Sequence, residues 1–580
     1  SAGLRCSAHA GDSALLVQRA VQQHTADEGW SFSVGETTEA TPLGPMARTL
    51  LGPVRGVHMD GYDVFKGIPY VERPARFAKS VPKKPWGPSV FNATRFGPGC
   101  IGAHTGVPED EDCLNLNIWV PPGGKKNMPV IVYFHGGINQ HGSGQEPIRQ
   151  GDLIVQSKKY PTIFINFDFR LGIFGWIYGK PGSSITNNLG FMDQQEALRF
   201  VQKNIANFGG DPSRVTVQGQ SEGCGTILAH MVAPGSMSLF HRAAMHSPPA
   251  DMWSRTTNQE RTDFMIARLG CQRKDAEDVL ACLSRLSAQW LWGGDWVSEE
   301  LSRNMFSFNW FSHLFGLLQF SSGRNVKEIP GMLGWHPVVD NSTLPGEPRE
   351  LIRQGKWNKI PVLITVSPNE TFGVFPGGKT SQTALDMGFG RLLKEGDLGK
   401  IQELYTKSLE AQGISASDFE IKHQMMTDKM WTCDCRMLAH DLTAHGGKAH
   451  LGVFWHKPKY DPVGKSTNAI CERGATCHAA EMLYLLPQGR QVGVHGRDME
   501  SELTFVQRYT DEFLSFVAGG ASPWVPYNLN TQPMTFYDEN GARVVQGYRK
   551  QQCDILDSSM GSGLPSFMQH PLKPTELLRK

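Results

Sequence analysis

The sequence predicts an α/β fold, with a mostly parallel central sheet and helices on both faces. Two observations carry this expectation. Short apolar runs recur along the chain, each bounded by Gly, Pro or Asn, and stretches of helical spacing lie between them. In order, the runs are Pro129–Phe134 (PVIVYF), Thr162–Phe167 (TIFINF), Val215–Gln218, Pro361–Val366 (PVLITV) and Leu451–Trp455. Their continuous apolar character suits strands buried on both faces. Helical periodicity fills intervals such as 193–208. Ahead of the first strand, residues 1–53 read as an N-terminal extension and linker. An amphipathic pattern at Leu15, Leu16, Ala20 and Val21 leads there into a Gly/Thr/Pro-rich stretch ending near Pro53. Residues 54–580 read as a single domain, without internal repeats or low-complexity segments.

Composition excludes several classes of function. The 57 Lys+Arg and 56 Asp+Glu leave a net charge of +1, so no field gathers phosphate backbones or anionic lipid, and no nucleic-acid partner is expected. With 40% hydrophobic residues, 30 Phe and 14 Trp, the chain has the means for a large core. It contains no run of 18 apolar residues, so no transmembrane segment is expected, and it opens at Ser1 without a charged and then apolar signal pattern. The 11 cysteines follow no zinc spacing: Cys433-Asp434-Cys435 lacks a second matching pair. Neither a metal nor a cofactor is expected. Asn92, Asn341 and Asn369 stand in Asn-x-Ser/Thr acceptor triplets, which suit a secretory route.

The chemistry concentrates where the run ending at Gln218 continues into Gly219-Gln220-Ser221-Glu222-Gly223, followed by helix-compatible spacing from Thr226 to Val232. Strand, G-x-S-x-G and helix together make the setting of a nucleophile elbow, in which glycines flank a serine on a tight turn. A hydroxyl is a weak nucleophile at neutral pH, so Ser221 needs a base, and donors must face the developing oxyanion. The run Pro129–Phe134 passes directly into His135-Gly136-Gly137-Ile138, a turn able to offer backbone N–H groups beside the elbow. His135 reads as structural, orienting that loop rather than moving protons.

From about Val54 to Asp557 the chain resembles the type-B carboxylesterase/lipase family, the cholinesterase-like branch of the α/β-hydrolases. The segments that carry the resemblance occur in the family's order: 65–70 (FKGIPY), Arg76-Phe77, 111–117 (EDCLNLN), 170–175 (RLGIFG), 190–194 (GFMDQ), 207–212 (NFGGDP) and 238–243 (SLFHRA). It implies a carboxylic-ester hydrolase acting on a small-molecule ester, with a triad in the order Ser221, Glu370, His478. Glu370 matches the acid after the strand 361–364. His478 matches the G-x-x-x-H-x-x-E segment that runs from Gly474 to Glu481. The family also implies an oxyanion hole from Gly136, Gly137, Ile138 and Glu222, and ion pairs Arg76–Glu111 and Arg170–Asp193. Its loop positions imply disulfides Cys100–Cys113 and Cys271–Cys282, with Cys471–Cys477 as a third candidate. Such bonds persist in oxidising compartments, which points to secretion or an organelle lumen.

Four departures from the family pattern matter. The loop Cys100–Cys113 carries no aromatic residue, so the cation–π contact that holds a choline ester is missing. Ile138 replaces the third glycine of the oxyanion turn, Glu222 the usual alanine, and Gln220 a frequent glutamate. A carboxylate ~7 Å from the oxyanion, at an effective dielectric of about 20, opposes it by ~2.4 kcal/mol. That is roughly fiftyfold in rate. The penalty disappears if Glu222 turns to solvent, meets a cation or is protonated. Two rival readings follow: a catalytically weak or inactive binding or adhesion module, and a lipase with Phe306–Phe320 as an apolar lid.

Overall fold

The computed structural model describes residues 44–103, 106–180, 182–249, 255–272, 276–294, 335–373, 396–457, 476–486, 497–520 and 522–560. In chain order its strands are β1 (Met46–Thr49), β2 (Gly52–Arg55), β3 (Val57–Met59), β4 (Tyr62–Pro69), β5 (Phe91–Asn92), β6 (Asn115–Val120), β7 (Met128–Phe134), β8 (Ile163–Phe167), β9 (Gly210–Gln220), β10 (Arg242–His246), β11 (Pro361–Val366), β12 (Lys448–Phe454), β13 (Pro533–Asp538) and β14 (Gly541–Gln546). Among the described residues, an 11-stranded sheet has the order β14-β13-β12-β11-β10-β9-β7-β8-β6-β4-β3. Every neighbouring pair from β8 to β13 in that order is parallel. The margins β14, β6, β4 and β3 are antiparallel to their neighbours.

The five runs read from the sequence are β7, β8, β9, β11 and β12, and β7 and β8 are buried at every position. Alternation along β7 explains their unbroken apolarity. Val130, Val132 and Phe134 enter one core cluster, while Ile131 and Tyr133 enter another on the opposite face. The helix Leu189–Asn204 gives Leu198 and Val201 to the first cluster, and the helix Arg497–Ala518 gives Tyr509 and Phe513 to the second. Each such side chain contributes about 2 kcal/mol when removed from water.

The N-terminal boundary needs correction. Positions 46–53, read as linker, lie in the β1–β2 hairpin, whose strand β2 also pairs with β5. The amphipathic stretch around Leu15 and the segment Phe306–Phe320 lie outside the described residues.

Both ion pairs form. Arg170 reaches Asp193 through Nε at 2.7 Å and through its second arm at 2.8 Å, and Ser80 Oγ donates to the same carboxylate at 2.8 Å. Arg76 holds Glu111 with both arms, Nε at 2.8 Å. Cys100–Cys113 and Cys271–Cys282 are bonded. Cys471 lies outside the described residues, and Cys477 is disulfide-bonded. A further bond, Cys433–Cys553, spans a sequence separation of 120 and ties the helix Lys550–Met560, the last among the described residues, to the helix Cys433–Ala444.

Candidate active site

The parallel register sends the ends of β7, β9 and β11 to the same edge of the sheet, and the candidate residues stand there. Ser221 follows β9 directly, with φ 54° and ψ −128°, a conformation that costs a non-glycine residue on the order of 1–3 kcal/mol. Its neighbours make that turn possible. A Cβ at Gly223 would sit 2.2 Å from Phe134 O, and one at Gly219 would sit 2.8 Å from the carbonyl carbon of Gly223. Ser221 N donates to His246 O at 3.0 Å, which anchors the elbow to the end of β10.

The turn after β7 packs against this elbow. At Gly136 a Cβ would lie 2.7 Å from Gln220 O and 3.0 Å from Ser221 Cβ, so only glycine allows the approach. Gly137, Ile138 and Asn139 then take φ of 113°, 50° and 56°. A β-branched residue in that region is strained. His135 is buried, its Nδ1 2.9 Å from Gly136 O and its ring stacked on Phe169. Burial first, then the positive charge of Arg149, lower its pKa to about 3, so it stands neutral beneath the turn.

The acid and the histidine meet from distant parts of the chain. Glu370 is fully buried, its Oε1 accepting from Ser367 N at 2.6 Å and its Oε2 lying 2.6 Å from His478 Nδ1. Asn369 N donates to Thr476 O at 3.2 Å, and Asn369 forms a backbone bridge with Cys477, so the two loops are stitched beside the pair. Trp431 closes one side, its ring centroid 5.5 Å from that of His478. Three residues on, Glu481 is buried and receives Ser247 Oγ at 3.2 Å and Ser367 Oγ at 3.3 Å. Burial foremost, with the charge of Glu370 next, raises its carboxyl to about 7.

Ser221 and His478 are not directly bonded. The Nε2 of His478 lies 3.0 Å from Gln220 Nε2, and among the described residues Ser221 Oγ makes no hydrogen bond. Glu222, expected to project an opposing charge, is 2% exposed and tied down. Its Oε1 accepts from Asn139 Nδ2 at 2.9 Å and lies 3.1 Å from His336 Nδ1. Asn139 and His336 were not legible as site residues, because neither belongs to a spacing pattern that carries chemistry.

Comparison with known proteins settles the family. The carboxylesterase family model matches residues 44–556. The chain belongs to that family. This carboxylesterase-family chain is 30% identical over 437 residues to the para-nitrobenzyl esterase of Bacillus subtilis (strain 168), covering 73% of the chain and 81% of that protein. It is also 30% identical over 349 residues to the acetylcholinesterase of Danio rerio, covering 56% of the chain and only 50% of that relative. A solved PNB esterase superposes with TM-score 0.68 at 25% identity, covering 88% of this chain and 99% of the other. The α/β-hydrolase fold expected from the sequence is therefore the observed one.

Proposed function

We propose that the chain is a serine carboxylic-ester hydrolase working through an acyl-enzyme, with Ser221 as nucleophile, His478 as base and Glu370 as orienting acid. Family membership supports hydrolysis of carboxylic esters, and the observation that carries the assignment is the 2.6 Å contact between Glu370 and His478 beside a strained serine. Ser221 Oγ attacks the ester carbonyl while His478 Nε2 takes its proton, and Glu370 holds Nδ1–H and the imidazolium that forms. The tetrahedral oxyanion meets backbone N–H groups from Gly136, Gly137, Ile138 and Glu222. Collapse expels the alcohol, which recovers the proton from His478. Water, deprotonated by the same imidazole, then releases the acid and frees Ser221.

The substrate is a small neutral ester rather than a choline ester, because the Cys100–Cys113 loop offers no aromatic face to a quaternary ammonium. Disulfides and the exposed acceptors Asn92 and Asn341 support a secreted glycoprotein. Among the described residues no helix is long and apolar enough to cross a membrane. Treatment with a fluorophosphonate probe and mass mapping should place the label on Ser221, and Ser221→Ala should lose both labelling and p-nitrophenyl ester cleavage. Labelling that survives the substitution excludes Ser221 as nucleophile. The second reading, a weak or inactive binding module, draws on the Gln220 amide that occupies the Nε2 side of His478. A folded parent chain that neither labels nor turns over esters would favour it.

A further inference from the structure

We infer that Glu222 is a positioning residue whose buried carboxylate clamps the oxyanion turn to the nucleophile elbow. The inference rests on the reading of Ser221 as nucleophile.

Ile138 and Asn139 both take positive φ, 50° and 56°, a region that asparagine tolerates but that strains the β-branched Ile138. Such a segment holds its shape only when its surroundings over-determine it. The surroundings here come from two directions. From one side, Trp335 N donates to Ile138 O at 3.0 Å, and Asn139 Nδ2 donates to Trp335 O at 2.7 Å. From the other, Asn139 Nδ2 also donates to Glu222 Oε1 at 2.9 Å, and Gly172 N donates to Asn139 O at 2.8 Å.

Glu222 is the member of this network that touches the elbow, since it is the residue after Ser221 and the first of the helix Glu222–Val232. Its carboxylate folds back over Gly225, where a Cβ would stand 3.2 Å from both oxygens, so a glycine one turn on leaves the carboxylate its place. There Oε1 also faces His336 Nδ1 at 3.1 Å. His336 is itself fixed by Asn258, which donates Nδ2 to His336 O at 2.6 Å. One carboxylate oxygen thus joins the elbow, the strained turn and the Trp335–His336 segment. The two departures in this region are one device: Ile138 lacks the freedom of glycine, and Glu222 supplies the restraint that an alanine there could not. A hole positioned this way acts on the transition state and not on ground-state binding.

The test compares Glu222→Gln, Glu222→Ala and Asn139→Gly in the full chain, reading kcat and KM separately with p-nitrophenyl acetate. Glu222→Gln keeps an acceptor oxygen for Asn139 and should stay within about threefold of the parent in kcat. Glu222→Ala should lower kcat by roughly 10- to 100-fold with KM nearly unchanged. Asn139→Gly deletes the same bond, and with it the one to Trp335 O, at a position whose positive φ glycine adopts freely, and it should show a loss at least as large. The double variant Glu222→Ala/Asn139→Gly should lose little more than Asn139→Gly alone. Unchanged or increased kcat in Glu222→Ala, or fully additive losses, would overturn the inference. Fluorophosphonate mapping on the parent separates the two readings: no label on Ser221 defeats the nucleophile assignment, whereas a labelled Ser221 with indifferent Glu222 variants defeats only the clamp.

Discussion

The turn at Ser221 is set by steric contact, between its own glycines and the end of β7, whereas Glu370 and His478 stand 108 positions apart and are brought together by hydrogen bonds between the loops that carry them. At the elbow, the steric demands of Gly219 and Gly223 leave a narrow set of backbone paths between β9 and the following helix. At the acid and the histidine, the restraints are the Asn369–Cys477 bridge, the hydrogen bond from Asn369 N to Thr476 O, and burial under Trp431. A turn set by steric contact is intolerant of a single added atom. A pair joined by hydrogen bonds between loops depends instead on how those loops are held.

The largest expected effect breaks the steric device. Gly223→Ala puts a methyl group 2.2 Å from Phe134 O, a backbone atom that cannot yield without distorting β7. A loss above about 4 kcal/mol is expected, seen as insoluble or unfolded protein and no ester cleavage. A soluble, active variant would show that the elbow is less constrained than its packing implies. The long-range counterpart is the pair Cys433→Ser with Cys553→Ser, which opens a loop with a sequence separation of 120. Chain entropy assigns such a closure up to about 5 kcal/mol, read as a lowered denaturation midpoint. Activity at low temperature should survive, because neither sulfur belongs to the site.

Glu481 sharpens the contrast through pH. Its folded pKa of about 7 exceeds the ordinary 4.5, so the native chain keeps a proton that the unfolded chain releases. Stability from this group is therefore complete below about pH 4.5 and is lost as pH rises towards 7, by on the order of 3 kcal/mol. Glu481→Gln should flatten the fall of Tm across that window. An unaltered slope would assign it to another buried acid such as Asp168, whose carboxyl burial also raises to about 7. The smallest effect is expected at Gln220. Removing the amide that faces His478 Nε2 deletes a competitor worth about 1 kcal/mol, so Gln220→Ala should raise kcat by roughly two- to tenfold. An unchanged rate would mean that substrate already displaces the amide.

The same contrast explains what could be read without coordinates. The strands β7, β8, β9, β11 and β12 and the elbow were legible because their signals are contiguous: unbroken apolar runs, then glycines at fixed offsets from a serine. Glu370 and His478 were legible only through the family resemblance, since one glutamate and one histidine carry no mark of their proximity. Nothing in the spacing of Cys433 and Cys553 announced their bond. Glu222 shows the limit most clearly. Its charge was visible and led to an expected penalty, but its partners Asn139 and His336 come from segments 83 and 114 residues away.

The strained backbone at Ser221 sets stability against chemistry. Glycine at position 221 would adopt φ 54° and ψ −128° freely, and so would make the protein more stable by about 1–3 kcal/mol while removing the hydroxyl. At this one position, exchange of serine for glycine therefore gains stability and loses the chemistry. A chain that used this fold only to bind other proteins would lose nothing by the exchange. Under the proposed acyl-enzyme chemistry, the hydroxyl is what offsets this backbone cost.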